Sequence, residues 1–187
     1  MGDYAITAAA GTLSATNYDF SFTAGTLSVT KAPLTVVGVT VANKVYDRTS
    51  LATLSFSAAS LTGVAAGDSA NVSLVTGGAV GVFGDSLRAT SKPVIVTGLA
   101  LAGSSAANYT LAQPTGLTAD ITAKTLTVTG VTAANKVYDR TLTATPNFTG
   151  LALVGIITGD AVAPVTAGAT ASFATKTVET GKTVTLA

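Results

Sequence analysis

Two short clusters of side chains are the best candidates for binding chemistry in this chain. Each combines a lysine, a tyrosine, an aspartate and an arginine within five residues, a set that can hold a glycan or an anion through aromatic and charged contacts. The members are, in the first copy, Lys44, Tyr46, Asp47 and Arg48, and, in the second, Lys136, Tyr138, Asp139 and Arg140. The competing interpretation is a strand end followed by a turn, in which the aspartate accepts hydrogen bonds from nearby backbone amides. Because the string recurs, we favour the structural role and keep ligand contact as the alternative.

Composition leaves little room for catalysis. The chain contains neither His nor Cys, so nucleophilic catalysis by a Ser-His or Cys-His pair is excluded. Acid–base hydrolysis needs two positioned carboxylates, and most of the acidic residues stand beside glycine or in turns. The turn oxygens of Asp68, Ser69 and Asn71 come nearest to a calcium site, but they do not match an EF-hand loop. We therefore expect no enzyme and no cofactor, with calcium as a minor alternative.

Charge and hydropathy exclude two further classes of partner. The net charge is +1 and only 10% of residues are charged, without a basic cluster that would attract nucleic acid. The longest apolar run, Leu151–Ile157, is far shorter than a membrane span and contains Gly155. We predict neither nucleic-acid binding nor membrane insertion.

The clusters lie inside a longer internal repeat. The sixteen residues Leu34–Thr49 return 92 positions later as Leu126–Thr141, with fourteen identities. At the same offset, Gly67-Asp68 matches Gly159-Asp160. Self-similarity at domain length is typical of tandem arrays, which mostly provide length and surface rather than chemistry.

The ends of the repeat indicate how the chain is divided. Past a two-residue deletion, Lys92–Thr97 matches Lys182–Ala187, while Asn17-Tyr18 takes the place of Asn108-Tyr109. We predict three parts. They are residues 1–32, the closing third of a preceding repeat; residues 33–123, one complete repeat; and residues 124–187, an incomplete second repeat.

Alternation with a period of two dominates the local pattern and predicts strands. Apolar and polar residues alternate over Ala52–Ala58 and Leu117–Lys124, and Tyr18–Phe22 carries aromatic residues at every second position. Abundant Val and Thr favour strands, 19 glycines break them, and at most one helical turn is expected, at Ser104–Asn108. The predicted fold is all-β, a row of antiparallel β-sandwich (Ig-like) domains stacked end to end, with β-grasp-like repeats as the alternative.

The string Lys44–Thr49 resembles the opening of the YDG repeat domain of bacterial surface and exported proteins. Gly67-Asp68, Ser91–Gly103, Ala106–Leu111 and Gln113–Thr122 follow in the order of that family. The second repeat resembles it as far as it extends, and the first 32 residues are more similar to the end of the related MBG repeat.

One departure concerns Arg48 and Arg140, which stand where the family name implies glycine. Because a bulky residue disfavours positive φ, we expect the backbone at both positions to avoid that conformation.

The resemblance implies tandem β-domains in long, secreted, adhesin-like proteins, and it brings no catalytic residues. The expected function is a non-enzymatic stalk or spacer at the bacterial cell surface, and the alternative is a module whose repeats bind a glycan or a protein. Expected partners are the neighbouring repeats. We also expect head-to-tail self-association, in which residues 2–32 of one chain complete the sheet begun by residues 124–187 of another.

Overall fold

The computed structural model describes residues 2–187, which form 21 short strands and one turn of 3-10 helix, Ala106–Asn108. The all-β prediction is confirmed, and the helical turn falls inside the predicted segment. Residues 2–187 contain no α-helix, so the β-grasp alternative, which packs a helix against its sheet, does not describe them. Within the same range, no helix is long and apolar enough to span a bilayer.

The chain divides into two compact units. The first unit runs to Lys44 and continues over Thr49–Thr122, and the second unit combines Val45–Arg48 with Ala123–Ala187. The change after Thr122 lies one residue from the boundary expected after Ala123. The division between residues 32 and 33 stays a prediction, and Met1 lies outside the described residues.

The first fourteen strands build the first unit, with Val45 the one strand residue assigned to the second. Their bounds are β1 Gly2–Ile6, β2 Gly25–Val29, β3 Ala32–Val37, β4 Thr40–Val41, β5 Lys44–Val45, β6 Leu51–Ala52, β7 Leu54–Ser55, β8 Ser60–Thr62, β9 Ser73–Val75, β10 Val80–Phe83, β11 Ala89–Thr97, β12 Ala100–Ala102, β13 Tyr109–Ala112 and β14 Thr118–Thr122.

The largest sheet has the order β5-β14-β11-β10-β6. Its long strand β11 alternates buried and exposed side chains, with Val94 and Val96 in the core. Strand β14 pairs antiparallel with β11 and buries Ala119 and Ile121 on one face, as the alternation of Leu117–Lys124 predicted. Val and Ile fill this half-buried, pleated surface well, because branching at Cβ suits extended backbone.

A second sheet has the order β13-β3-β8. Strand β13 runs parallel to β3, with Tyr109 opposite Ala32, whereas β8 pairs antiparallel with β3. Leu34 of β3 is fully buried and packs with Val72 and Tyr109. The mostly antiparallel architecture therefore contains a parallel pair that the sequence pattern did not predict.

The second unit repeats part of this arrangement. Its strands are β15 Thr127–Thr129, β16 Thr132–Ala133, β17 Thr143–Ala144, β18 Pro146–Asn147, β19 Ala152–Val154, β20 Ala171–Phe173 and β21 Val184–Leu186. The pairings β15–β19, β16–β18 and β17–β20–β21 correspond to β3–β8, β4–β7 and β6–β10–β11 of the first unit. Among residues 123–187, no strand corresponds to β13 or β14, and the buried apolar residues are Ala144 and Ala171.

Two predicted strands are wrong in detail. The alternation of burial over Ala52–Phe56 is present, but the segment is split into β6 and β7, because the chain passes from one sheet to another between them. A turn in which the Ala59 amide donates to the Phe56 carbonyl then ends the segment.

The predicted strand at Tyr18–Phe22 does not form. Its counterpart β13 is held by pairing with β3, and residues 2–17 supply no equivalent of β3 for Tyr18–Phe22 to pair with. What does form near this end is the antiparallel hairpin of β1 and β2, in which every residue is exposed.

Candidate functional site

The lysine of each motif copy bonds to its own turn. Lys44 Nζ donates to the Thr49 carbonyl at 3.1 Å, to Thr49 Oγ1 at 2.8 Å and to the Leu51 carbonyl at 3.1 Å. Lys136 makes the equivalent bonds, to the carbonyl and Oγ1 of Thr141 at 3.2 and 2.7 Å and to the Thr143 carbonyl at 3.0 Å. An ammonium group has three N–H donors. Both lysines therefore use their N–H groups to close the loop that follows them.

The aspartate of the second copy forms the expected Asx turn. Asp139 Oδ1 accepts hydrogen bonds from the Thr141 amide at 2.9 Å and from Thr141 Oγ1 at 2.8 Å. It also pairs with Lys136 Nζ at 2.7 Å. The bond from Lys136, followed by the two from Thr141, lowers the pKa of Asp139 to about 2.

The expectation that the arginines avoid positive φ is wrong. Arg48 and Arg140 both have φ of 66°, the left-handed conformation that a glycine in this place would adopt freely. A non-glycine residue there costs roughly 1–2 kcal/mol. The turn imposes it in both copies, because the lysine bonds fix the chain on either side of the arginine.

The first copy makes further contacts inside the second unit. Arg48 Nη1 donates to the Thr158 carbonyl at 2.8 Å, and Arg48 Nε lies 3.3 Å from Asp160 Oδ1. Tyr46 Oη donates to the same carboxylate oxygen at 3.1 Å. Partial burial, and then the bond to Asp160, raise the pKa of Tyr46 above its ordinary value. Asp47 stands between these two residues, at the position equivalent to Asp139.

Glycine is required at the centre of the contacted turn. Gly159 has φ of 92°, and a Cβ built on it would lie 1.8 Å from Arg48 Nη1. Gly67, its counterpart in the first repeat, also has φ of 92°, but a Cβ there would have nothing within 4 Å. Position 159 therefore requires glycine both for its positive φ and for the space that Arg48 occupies, whereas position 67 requires it only for its positive φ. The recurrence of Gly-Asp at the 92-residue offset was the sequence signal for this turn, but it did not reveal that Tyr46 and Arg48 bind it.

In the first unit, a different tyrosine holds the equivalent turn. Tyr109 Oη donates to Asp68 Oδ2 at 2.8 Å and accepts from the Ala65 amide at 3.1 Å, while Ser105 Oγ donates to Asp68 Oδ1 at 2.9 Å. Asp68 was considered above as part of a calcium site. Both of its carboxylate oxygens already accept a hydrogen bond from a hydroxyl group. Within residues 2–187, no cluster of three acidic, His or Cys residues could hold a metal ion.

The second motif copy has different surroundings. Tyr138 is 58% exposed and its neighbour Val137 is 88% exposed. Within residues 2–187, no hydrogen bond like those of Tyr46 and Arg48 is formed by Tyr138 or Arg140. Tyr46 and Arg48 of the first copy are therefore bonded to the turn around Gly159. Among residues 2–187, Tyr138 and Arg140 of the second copy form no equivalent bonds.

Beside the second copy lies a cavity of about 870 Å³ within the second unit, which we call the groove. Its lining includes Val131, Asn135, Lys136, Phe173, Val184 and Leu186. In the first repeat, the residues equivalent to the four apolar members are all buried; they are Val39, Phe83, Val94 and Val96. In that repeat, strand β14 pairs with β11, which carries Val94 and Val96.

Comparison with known families supports this equivalence. A family model described as the YDG domain matches residues 30–116 and again residues 122–187. No curated protein and no solved structure matches the chain. Because the two matched segments cover most of the sequence, the chain belongs to the YDG domain family.

Proposed function

We propose that the chain is a non-enzymatic spacer segment of a bacterial adhesin or extracellular fibre, secreted to the cell surface. One observation carries the proposal. The lysine of each motif, whose ammonium group could otherwise bind an anion, donates its hydrogen bonds to the neighbouring turn. These lysine donors therefore stabilise the loop and are already bonded to protein oxygen atoms, which favours a structural role for the motif over ligand binding.

The contacts of Tyr46 and Arg48 also support this proposal. Tyr46 and Arg48 belong to the first segment matched by the YDG model, and Thr158 and Asp160 to the second. Within the second unit, hydrogen bonds to a backbone carbonyl and to a partly buried carboxylate occupy the polar groups of both motif residues. A motif used in this way supports a structural role in a tandem array.

The alternative is that the repeats themselves bind a glycan or a protein. The exposed Tyr138 favours it, because an aromatic ring beside a groove can stack on a sugar face. If the chain is a spacer, Tyr138 contacts no ligand; if the repeats are a binding module, Tyr138 contacts the ligand directly.

Binding of the whole chain to a glycan array, together with Tyr46→Ala and Tyr138→Ala variants, tests the proposal. A spacer gives no reproducible signal for any of the three. Tyr18→Ala provides the matched control, because Tyr18 is more exposed than Tyr138 and lies outside both motifs. Binding that is lost in Tyr138→Ala and kept in Tyr18→Ala would establish the binding module instead. Hydrolytic activity that survives repurification would overturn the non-enzymatic part.

A further inference from the structure

We propose that the solvent-facing side of the largest sheet of the first unit is a self-association surface, which packs against the same surface of a second copy of this chain. The surface is formed by strands β6, β10, β11 and β14, on the side opposite the core. The inference goes beyond the spacer function and does not depend on it, because self-association is measured without any ligand.

A continuous apolar row crosses three adjacent strands on this side of the sheet. Leu51 of β6 lies opposite Val82 of β10, and Val82 lies opposite Ile95 of β11. Side chains of directly opposed residues share one face, about 5 Å apart. Leu51 is 60% exposed and Ile95 is 62% exposed, while Val82 between them is half-buried. Val80 and Pro93, both exposed, extend the row along β10 and β11, and we call these five residues the patch.

The second unit carries a hydroxyl group at every position equivalent to the patch. Its strands β17, β20 and β21 pair in the same register as β6, β10 and β11, so geometry and sequence give the same equivalence. In the order Leu51, Val80, Val82, Pro93 and Ile95, the equivalent residues are Thr143, Thr170, Ser172, Thr183 and Thr185. The residues that face inwards stay apolar in both units, as Phe83 and Phe173 show. The fold therefore does not require apolar side chains at the patch.

Strand propensity does not explain the patch either. Threonine favours strands much as valine does, leucine has no such preference, and proline is normally kept out of a strand that is paired on both edges. Strand β11, which contains Pro93, pairs with β10 and with β14. A contiguous exposed apolar surface, at positions where the neighbouring repeat is polar, indicates an interaction site.

The surroundings of the patch are those of a protein interface. None of its five residues is charged, and the outward residues of the adjoining strand β14 are polar: Thr118, Asp120 and Thr122. The Asp120 carboxylate already accepts a hydrogen bond from the Ser91 amide at 2.7 Å. An apolar centre with a polar border is the usual anatomy of a surface that binds another protein.

The partner that fits this surface best is the same surface of a second copy. An uncharged apolar patch meets its own copy without electrostatic repulsion and offers it the apolar area that each needs to cover. The equivalent face of the second unit offers only hydroxyl groups at these positions, so it does not complement the patch. Identical surfaces in contact are related by a two-fold axis, which gives a closed dimer.

The area of the surface sets the expected strength of the contact. Four neighbouring strands with ordinary spacing and rise present a face on the order of 500 Å². Two copies then bury about 1,000 Å² in total, near the lower limit for a specific interface. We therefore expect a reversible dimer that forms at high protein concentration, and not a permanent one.

The two-fold symmetry identifies the residue at the centre of the contact. Sheets that pack face to face lie about 10 Å apart, with interdigitated side chains. Val82 occupies the middle of the row between Leu51 and Ile95. It therefore lies near the axis and contacts Val82 of the second copy, whichever way the two rows are turned relative to each other.

Exchange of the row for its counterpart in the second unit tests the surface. The variant that combines Leu51→Thr, Val82→Ser and Ile95→Thr carries residues that the equivalent strands already tolerate, so folding is preserved. Sedimentation velocity over a range of concentrations should show dimerisation weakened by about tenfold or more. The matched control replaces three exposed apolar residues elsewhere, by Leu13→Thr, Val37→Ser and Val75→Thr, and should dimerise as the unmodified chain does. An unmodified chain that stays monomeric, or equal dimerisation of the two variants, would overturn the proposal.

A charge-pairing experiment tests whether the surface meets its own copy. Val82→Lys and Val82→Glu should each be monomeric, because like charges meet at the axis, and an equimolar mixture of the two should dimerise again. Circular dichroism checks that both variants are folded. A mixture that stays monomeric, or single variants that still dimerise, would show that Val82 does not face Val82 and would overturn the proposal.

The spacer function is judged separately from the dimer. A monomeric chain that binds no glycan loses only this inference, even if another protein is then found to cover the patch. Glycan binding by a chain that still dimerises overturns only the spacer.

Discussion

Arg140 holds a left-handed backbone conformation without the compensating contacts that Arg48 makes. Arg140→Gly should therefore raise the free energy of unfolding of the second unit by about 0.5–1 kcal/mol, because relief of the unfavourable φ exceeds the extra entropy of glycine in the unfolded chain. Urea unfolding measures the change. Arg48→Gly is the matched variant and should gain less or lose stability, since it also removes the bonds to Thr158 and Asp160. A destabilised Arg140→Gly would show that its side chain contributes more than its backbone costs.

The carboxylate of Asp139 makes the stability of the second unit depend on acid. Its pKa is lowered to about 2, chiefly by Lys136, from an ordinary value of 3.8. A lowered pKa in the folded state means that the stabilisation is complete above about pH 4 and is lost as the pH falls towards 2. Asp139→Asn should thus be less stable than the unmodified chain at pH 6, with the difference shrinking near pH 2. Denaturant midpoints across this range check it. A difference that is constant with pH would exclude the ion pair as its source.

At the scale of the element, the turn around Gly159 and the turn around Gly67 form a natural pair for comparison. Both glycines have φ of 92°, so an alanine introduces the same backbone strain at each, but only at position 159 does it displace Arg48. Gly159→Ala should therefore cost about 1 kcal/mol more than Gly67→Ala, the size expected for the lost hydrogen bonds. Thermal unfolding of both variants gives the difference.

Arg48→Ala provides the control for that comparison. In its background, Gly159→Ala should cost no more than Gly67→Ala, because the side chain that the new Cβ meets is gone. A persistent excess would mean that the turn at Gly159 is sensitive for a reason other than Arg48.

Sequence patterns predicted these elements unevenly. The faces of β14 follow from alternation alone, and the Asx turn at Asp139 follows from an aspartate two residues before a threonine. The positive φ of Arg48 and Arg140 could not be predicted, because local preference opposes it and the lysine bonds that enforce it form only in the folded loop. The parallel pairing of β13 with β3 could not be predicted either. Alternation of apolar and polar residues shows which face of a strand is buried, but it does not show whether the neighbouring strand runs parallel or antiparallel.

At the scale of the whole molecule, the 92-residue repeat predicted most of the equivalences between the units. It did not predict that Val45–Arg48 would group with the second unit, because that depends on contacts with Thr158 and Asp160 across more than a hundred residues. The Tyr-Asp-Arg string is identical in the two copies, so its different surroundings come from tertiary structure.

The second unit should be the less stable of the two units. Among the residues that the structure describes, its buried apolar side chains are those of Ala144 and Ala171, whereas the first unit buries Leu34, Phe83 and Ile121. We therefore expect two unfolding transitions, with the second unit unfolding first, and a single transition would contradict this expectation. Hydrogen exchange should accordingly show weaker protection for β20 and β21 than for β10 and β11.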